Sequence, residues 1–262
     1  MTERFQSRTR HQLVGLGGSA AALLGVLYVL AVRTRWGQRL DAAALRGRGA
    51  LRPRALHAAG RLLTTISIAS LVLLGTAIIL FAVISRRSDL AAAAALVIIG
   101  ACVTTEMLKH VVLPRPYLGV VDALGIGRSF PSGHTTVAMS LAVAAVLVVA
   151  PERRGLVAIA AVLYPSAIGV AVIATGNHRP SDAIGAVLVV LVWAALACAW
   201  LVVPQEHTSK PAKEPAIPLL ALGGIVLLTV AFVGLVTTTL TLRRENIDTI
   251  ELGAAFLASA AA

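Results

Sequence analysis

The chain has 262 residues, of which 58% are hydrophobic and 13% charged, with a mean hydropathy of +0.86 and a net charge of +11. So little charge cannot cover the surface of a water-soluble domain of this length. The basic excess falls between apolar runs, where it meets lipid headgroups or holds the ends of spans, which argues against a nucleic-acid partner.

The N-terminus is polar and basic, with Arg4, Arg8 and Arg10, and Leu13 to Val32 forms a first apolar span. A basic lead is also a signal-peptide feature, but this apolar stretch is long and no small-x-small site follows, so a retained helix is expected. Arg33 to Arg61 holds eight arginines. It reads as a solvated, headgroup-facing connector whose Leu and Ala residues can support a short interfacial helix. The second span is Ile66 to Ile84, followed by a turn at Arg86, Arg87 and Asp89. The third runs from Leu90 to about Leu108, with Glu106 and Lys109 at its end, and a polar loop covers His110 to Phe130. The fourth begins near Thr135 and stops before Pro151, and Glu152, Arg153 and Arg154 make the next turn. Leu156 to Thr175 is the fifth, Gly176 to Asp182 a polar junction, and Ala183 to Val203 the sixth. A Lys-, Glu- and Pro-rich loop, Pro204 to Ala216, leads to a seventh span at Ile217 to Leu242 and a tail from Arg243 too short to cross again.

A span needs roughly 20 apolar residues to cross a hydrocarbon layer about 30 Å thick, and several of the runs meet that length. Short turns force neighbouring helices antiparallel. The expected fold is therefore all-α, a polytopic transmembrane helical bundle with a six-helix core in residues 1–203 and a loop, one extra C-terminal span and a tail in 204–262. Cys102 and Cys198 lie inside apolar runs and act as small hydrophobes, which supports neither a disulfide framework nor a metal site.

Ionisable groups at membrane depth are expensive, so they mark candidate sites. In the middle of the chain they fall in three clusters: Lys109 and Arg115 after span three, Ser132 and His134 before span four, and His178, Arg179 and Asp182 between spans five and six. Span four leaves one membrane face and span five returns to it, so parity puts all three clusters on the same face. Each suits phosphate. Pro131-Ser132-Gly133-His134 opens a helix, with Ser132 as N-cap and Gly133 allowing close approach to free N–H groups, an anion site. His134 can move a proton near neutral pH. Lys109 and Arg115 can neutralise phosphate oxygens. His178 and Asp182 are four apart and share a face of a helical first turn, where the carboxylate can orient the imidazole. Singly, each has a plainer explanation: Lys109 as a snorkelling anchor paired with Glu106, Ser132 as a simple cap, Arg115-Pro116 as an ordinary loop, His178 with Asp182 as a solvated helix start.

Lys109…Arg115-Pro116, Pro131-Ser132-Gly133-His134 and His178-Arg179-Pro180-Ser181-Asp182, in that order, resemble the motifs of the type-2 phosphatidic acid phosphatases, whose superfamily includes vanadium haloperoxidases. The resemblance covers roughly Leu90 to Val203. It implies His178 as the nucleophile that forms a phosphohistidine, Asp182 as its orienting partner and His134 as the acid for the leaving oxygen. It further implies that Lys109, Arg115, Ser132 and the Gly133 amide hold the phosphate, with no metal or other cofactor. Two departures stand out. Five residues, His110 to Pro114, separate Lys109 from Arg115 where the family has six. Ala171-Val172 occupies the place of the usual Ser-Arg, so a phosphate-binding arginine is missing, and Arg179, or less readily Arg128, is the expected substitute. The resemblance implies a membrane phosphatase acting on a lipid phosphate, such as phosphatidate, phosphatidylglycerol phosphate or a polyprenyl diphosphate. A lipid phosphotransferase, or a catalytically silent lipid-phosphate binder or transporter, are the alternatives. It also implies a site on the extracytoplasmic face of the cell membrane. Seven spans with the N-terminus inside would then leave nine Lys and Arg inside and thirteen outside, against the positive-inside tendency.

Overall fold

A computed structural model describes residues 2–48, 51–120 and 129–202. The seventh span, the loop before it, the tail and Arg128 lie outside the described residues. Every regular element among the described residues is a helix: α1 (Thr2–Leu27), α2 (Arg35–Gly47), α3 (Pro53–Leu63), α4 (Ile68–Ile84), α5 (Ser88–Met107), α6 (Gly133–Val148), α7 (Pro151–Ala174) and α8 (Pro180–Leu201). Wide π-turns extend α1 through Val32 and α5 through Val112. Four stretches, Gln6–Val32, Ser88–Val112, Pro151–Ala174 and Pro180–Leu201, are long and apolar enough to cross a membrane. The pair α3 and α4, bent by 56°, makes a fifth if counted as one broken span. Helix α6 is apolar but has 16 residues, about 24 Å at ~1.5 Å per residue, shorter than the hydrocarbon layer.

Helix α8 is the axis of the bundle. Val187, Leu188, Val189, Val190 and Leu191 are successive and all enclosed, so it is buried around its circumference. Ala183, Ala186, Ala194, Ala195 and Ala197 are also fully covered. Small residues let helix backbones approach closely, the main packing device where lipid provides no hydrophobic drive between helices. Helix α1 packs on this axis, with Gly17 in van der Waals reach of Ala195, so it is part of the bundle. Helices α5, α6 and α7 complete the core through Val97, Ala101, Met139, Val143, Leu147, Ile168 and Val172. Trp193 lies flat over Gly100 and donates from Nε1 to Thr104 Oγ1 at 3.0 Å, locking α8 to α5.

Three boundaries depart from the sequence expectation. Lys109 and His110 are in the π-turn of α5, since Val111 and Val112 prolong the apolar pattern until Leu113, restricted by Pro114, leaves the helix. Glu152, Arg153 and Arg154 form the first turn of α7, with Pro151 at N1 where its missing N–H costs nothing. The largest departure is the arginine-rich connector. Residues 33–61 are not a solvated loop but hold α2 and α3, and α2 buries Gln38, Asp41, Ala42 and Leu45.

Candidate active site

The α6 end of the site is built by the residues before it. The Phe130 ring fills the space beside Gly185 of α8, where a side chain's Cβ would lie 2.6 Å from Phe130 Cε2. The Ser132 N–H donates to the Asp182 carbonyl at 2.9 Å. These two contacts fix Pro131-Ser132-Gly133-His134 on the first turns of α8. Ser132 is the N-cap of α6, as expected, and its Oγ accepts from Thr135 Oγ1 at 3.1 Å and the Thr135 N–H at 3.4 Å. Arg179, 1% exposed, adds a third tie by donating from Nη1 to Ser129 Oγ at 2.7 Å.

The α7–α8 junction carries His178. Helix α7 ends with Gly176 at φ +76, a backbone region that favours glycine. The N–H groups of Asn177 and His178 both donate to the Val172 carbonyl, at 2.9 and 3.1 Å. Thus Val172, where an arginine was expected, buries an apolar side chain and closes the turn below His178. Pro180 starts α8, and Asp182 falls at N3. Its Oδ2 accepts the Arg179 N–H at 2.9 Å and lies 3.3 Å from His178 Nδ1. With Nδ1–H assigned to this bond, His178 Nε2 is left carrying the lone pair.

The three clusters meet. The rings of His134 and His178 are edge to face with centroids 6.2 Å apart. A Cβ on Gly133 would lie 3.4 Å from Lys109 Nζ, so the ammonium hangs over the start of α6. Lys109 also pairs with Glu106 at 2.8 Å, so the anchoring role and the approach to the site coexist. His110 shares Glu106 at 3.1 Å. Arg115 Nη2 lies 3.6 Å from Asp182 Oδ1 and 3.4 Å from Ser181 Oγ. Lys109, Arg115, Ser132, Gly133, His134, His178, Arg179 and Asp182 therefore belong to one neighbourhood on one face.

Sequence reasoning missed the contribution of α2. Gln38, Asp41, Leu45 and Arg48 follow at spacings of three, four and three, one side of a helix. Gln38 donates to the carbonyls of Val32 and Pro116 at 2.8 and 2.9 Å. Asp41 pairs with Arg115 at 3.2 Å and accepts the Ser181 hydroxyl at 2.6 Å. Arg48 Nη1 donates to the Thr175 carbonyl at 3.1 Å, its guanidinium lying against Gly176 where any side chain would collide with it. The spacing was the available signal, but a polar stripe does not announce burial. Burial pushes the Asp41 carboxyl above the ordinary carboxylate value. Arg115 and the Ser181 donors oppose that rise, while Asp182 adds to it.

A model of the PAP2 superfamily matches residues 17–206 of the chain. Searches of curated proteins and of solved structures gave no match.

Proposed function

The chain belongs to the PAP2 superfamily, and on that premise we propose that it is an integral membrane phosphatase that removes a terminal phosphate from a lipid through a phosphohistidine. The observation that carries this reading is the facing pair of imidazoles, His134 and His178, 6.2 Å apart, with the second held from behind by the enclosed carboxylate of Asp182. One phosphoryl group can touch both rings.

In the proposed reaction His178 Nε2 attacks phosphorus while Nδ1–H stays on Asp182, which offsets the charge the ring gains. The bond from phosphorus to the lipid oxygen breaks as His134 delivers a proton to that oxygen. Neutral His134 then takes a proton from water, whose oxygen attacks the phosphohistidine. The N–P bond breaks, and inorganic phosphate and His178 are released. Lys109, Arg115, Ser132, the Gly133 amide and Arg179 hold the phosphoryl oxygens. A fixed donor aimed at the developing charge is worth about 3 kcal/mol, or roughly a hundredfold in rate, so the arginine absent at Val172 matters. Arg179, beside His178 and tied to Ser129, is the proposed replacement. The headgroup is taken from the bilayer, on the extracytoplasmic face, and phosphatidate, phosphatidylglycerol phosphate and polyprenyl diphosphates all present the group required.

The absence of a guanidinium at Val172 favours one second reading, a lipid-phosphate binder without turnover. Phosphate release from these three lipids by detergent-purified protein, with and without EDTA, separates the two. Wild type is expected to release phosphate under both conditions, His178→Ala to release none, and Arg179→Ala to be strongly slowed. Release by wild type no faster than by His178→Ala removes the enzyme. Loss of release with EDTA removes the metal-free mechanism.

A further inference from the structure

Asp41 takes no part in the phosphoryl chemistry above, yet it is 5% exposed and its contacts end on residues beside that chemistry. A buried carboxylate is costly unless cations and donors compensate it, and it adds little net stability even then. Its Oδ2 lies 3.2 Å from Arg115 Nη2 and accepts the Ser181 hydroxyl at 2.6 Å, and its Oδ1 accepts the Ser181 N–H at 3.2 Å. Arg115 is itself enclosed, with 7% of its side chain exposed. Its Nη2 is shared among Asp41, Asp182 and Ser181, while its Nε has no hydrogen-bond partner. A guanidinium presents its donors in one rigid plane, so holding Nη2 sets the direction of all the others. Asp41 cannot swing away, because α2 is fastened on both sides of it, by Gln38 to Pro116 and by Arg48 to Thr175.

We propose that Asp41 is a positioning residue, which holds Arg115 by Nη2 and so fixes the plane in which the guanidinium meets a phosphate oxygen, and which through Ser181 steadies the turn of α8 that carries Asp182. The connector helix is thereby a working wall of the site. Its effect on turnover rests on the phosphatase reading, but its effect on anion binding does not.

Inorganic phosphate is the probe, and its effect on thermal unfolding in detergent is the first readout. Wild type, Asp41→Asn, Asp41→Ala and Leu45→Ala are compared. Leu45 is 1% exposed on the same helix, so its truncation loosens α2 without touching the ion pair. Wild type is expected to unfold at a higher temperature with phosphate present. Both Asp41 variants need about tenfold more phosphate for half that rise, because a charge-held fork has been released. Their kcat/KM for phosphatidate falls roughly a hundredfold, as expected for a misaligned binding group. Leu45→Ala lowers the unfolding temperature but keeps the phosphate response. A phosphate response in Asp41→Asn equal to that of Leu45→Ala overturns the proposal, as does no phosphate response in wild type. If Asp41→Ala does not fold, Asp41→Asn, similar in shape, carries the test. Turnover in wild type with unaltered Asp41 variants removes Asp41 and keeps the phosphatase. Weakened phosphate binding in those variants, with wild-type turnover no better than His178→Ala, does the reverse.

Discussion

At the scale of single residues, Asp182 has the greatest demand on it. It is fully enclosed and receives the Arg179 N–H and His178, with Arg115 alongside. Asp182→Asn keeps the shape and one acceptor but offers no charge to a protonated or phosphorylated imidazole. We expect kcat for lipid phosphate to fall on the order of ten-thousandfold, by analogy with loss of the orienting carboxylate in a catalytic triad. Release within threefold of wild type would show that His178 needs no such partner. Asp41 makes a different prediction, about pH. Burial raises its pKa on folding, so the folded chain holds that proton more tightly than the unfolded one. The stability this contributes is present below the ordinary carboxylate value, about 3.9, and is lost as pH rises through the raised value. Asp41→Asn lacks the titration, so its deficit in unfolding temperature against wild type should shrink between pH 4 and pH 7. A deficit that grows over that range means folding lowers this pKa instead. His178, Asp182 and Ser132 were legible because their partners are local, four residues apart or at a helix start. Asp41 was not, since its partners Arg115 and Ser181 are 74 and 140 residues away and no short-range pattern records them.

At the scale of elements, the apolar helices could be read from the sequence because membrane-length runs are a strong signal, though several starts moved, α1 to Thr2, α4 to Ile68 and α8 to Pro180, besides the ends set by Pro114 and Pro151. Helix α2 could not. Its arginines look solvated and its Leu and Ala residues read as facing the interface, but here the inward side combines Ala42, Ala44 and Leu45 with Gln38 and Asp41, whose partners are the loop at Pro116, Arg115 and the start of α8. The pairing of Phe130 with Gly185 was equally silent, as an isolated glycine in an apolar helix does not say what covers it. It is nevertheless what seats the Pro-Ser-Gly-His turn. Gly185→Ala places a Cβ 2.6 Å from the Phe130 ring, and the ring must move. Overpacking of this kind costs about 1–3 kcal/mol, and the displaced turn carries His134 with it. Thermal unfolding and phosphate release should therefore fall together in Gly185→Ala. Phe130→Leu in the same chain should recover part of both, a coupling that a double-mutant cycle reads directly. Independent, additive losses would mean the ring and the turn are not mechanically linked.

At the scale of the whole molecule, the decisive feature is parity. Counting crossings put residues 109–115, 131–134 and 178–182 on one face, and the folded chain brings them within contact of each other. The same counting puts the turns at Arg86 and Glu152 on the opposite face. Asn177, Arg86 and Glu152 are exposed, and Tyr117 is 55% exposed. This permits a direct test in sealed, oriented vesicles. With Cys102 and Cys198 replaced by Ala, single cysteines at 117 and 177 should react with a membrane-impermeant maleimide from one side, and those at 86 and 152 only from the other. Labelling of 177 and 152 from the same side would break the parity on which the site rests, since α7 would then not cross. The side on which 117 and 177 react also decides between two forces that disagree here. The charge count favours keeping the arginine-rich connector and the site in the cytoplasm. The positive-inside tendency, however, acts on charges free in short loops. Asp41 of the connector is buried against Arg115, and Arg48 is hydrogen-bonded to the Thr175 carbonyl. Taking those two charges out leaves eleven outside against nine inside, so the count still leans toward the cytoplasm, and reaction of 117 and 177 from outside is the result expected from the proposed extracytoplasmic placement of the site.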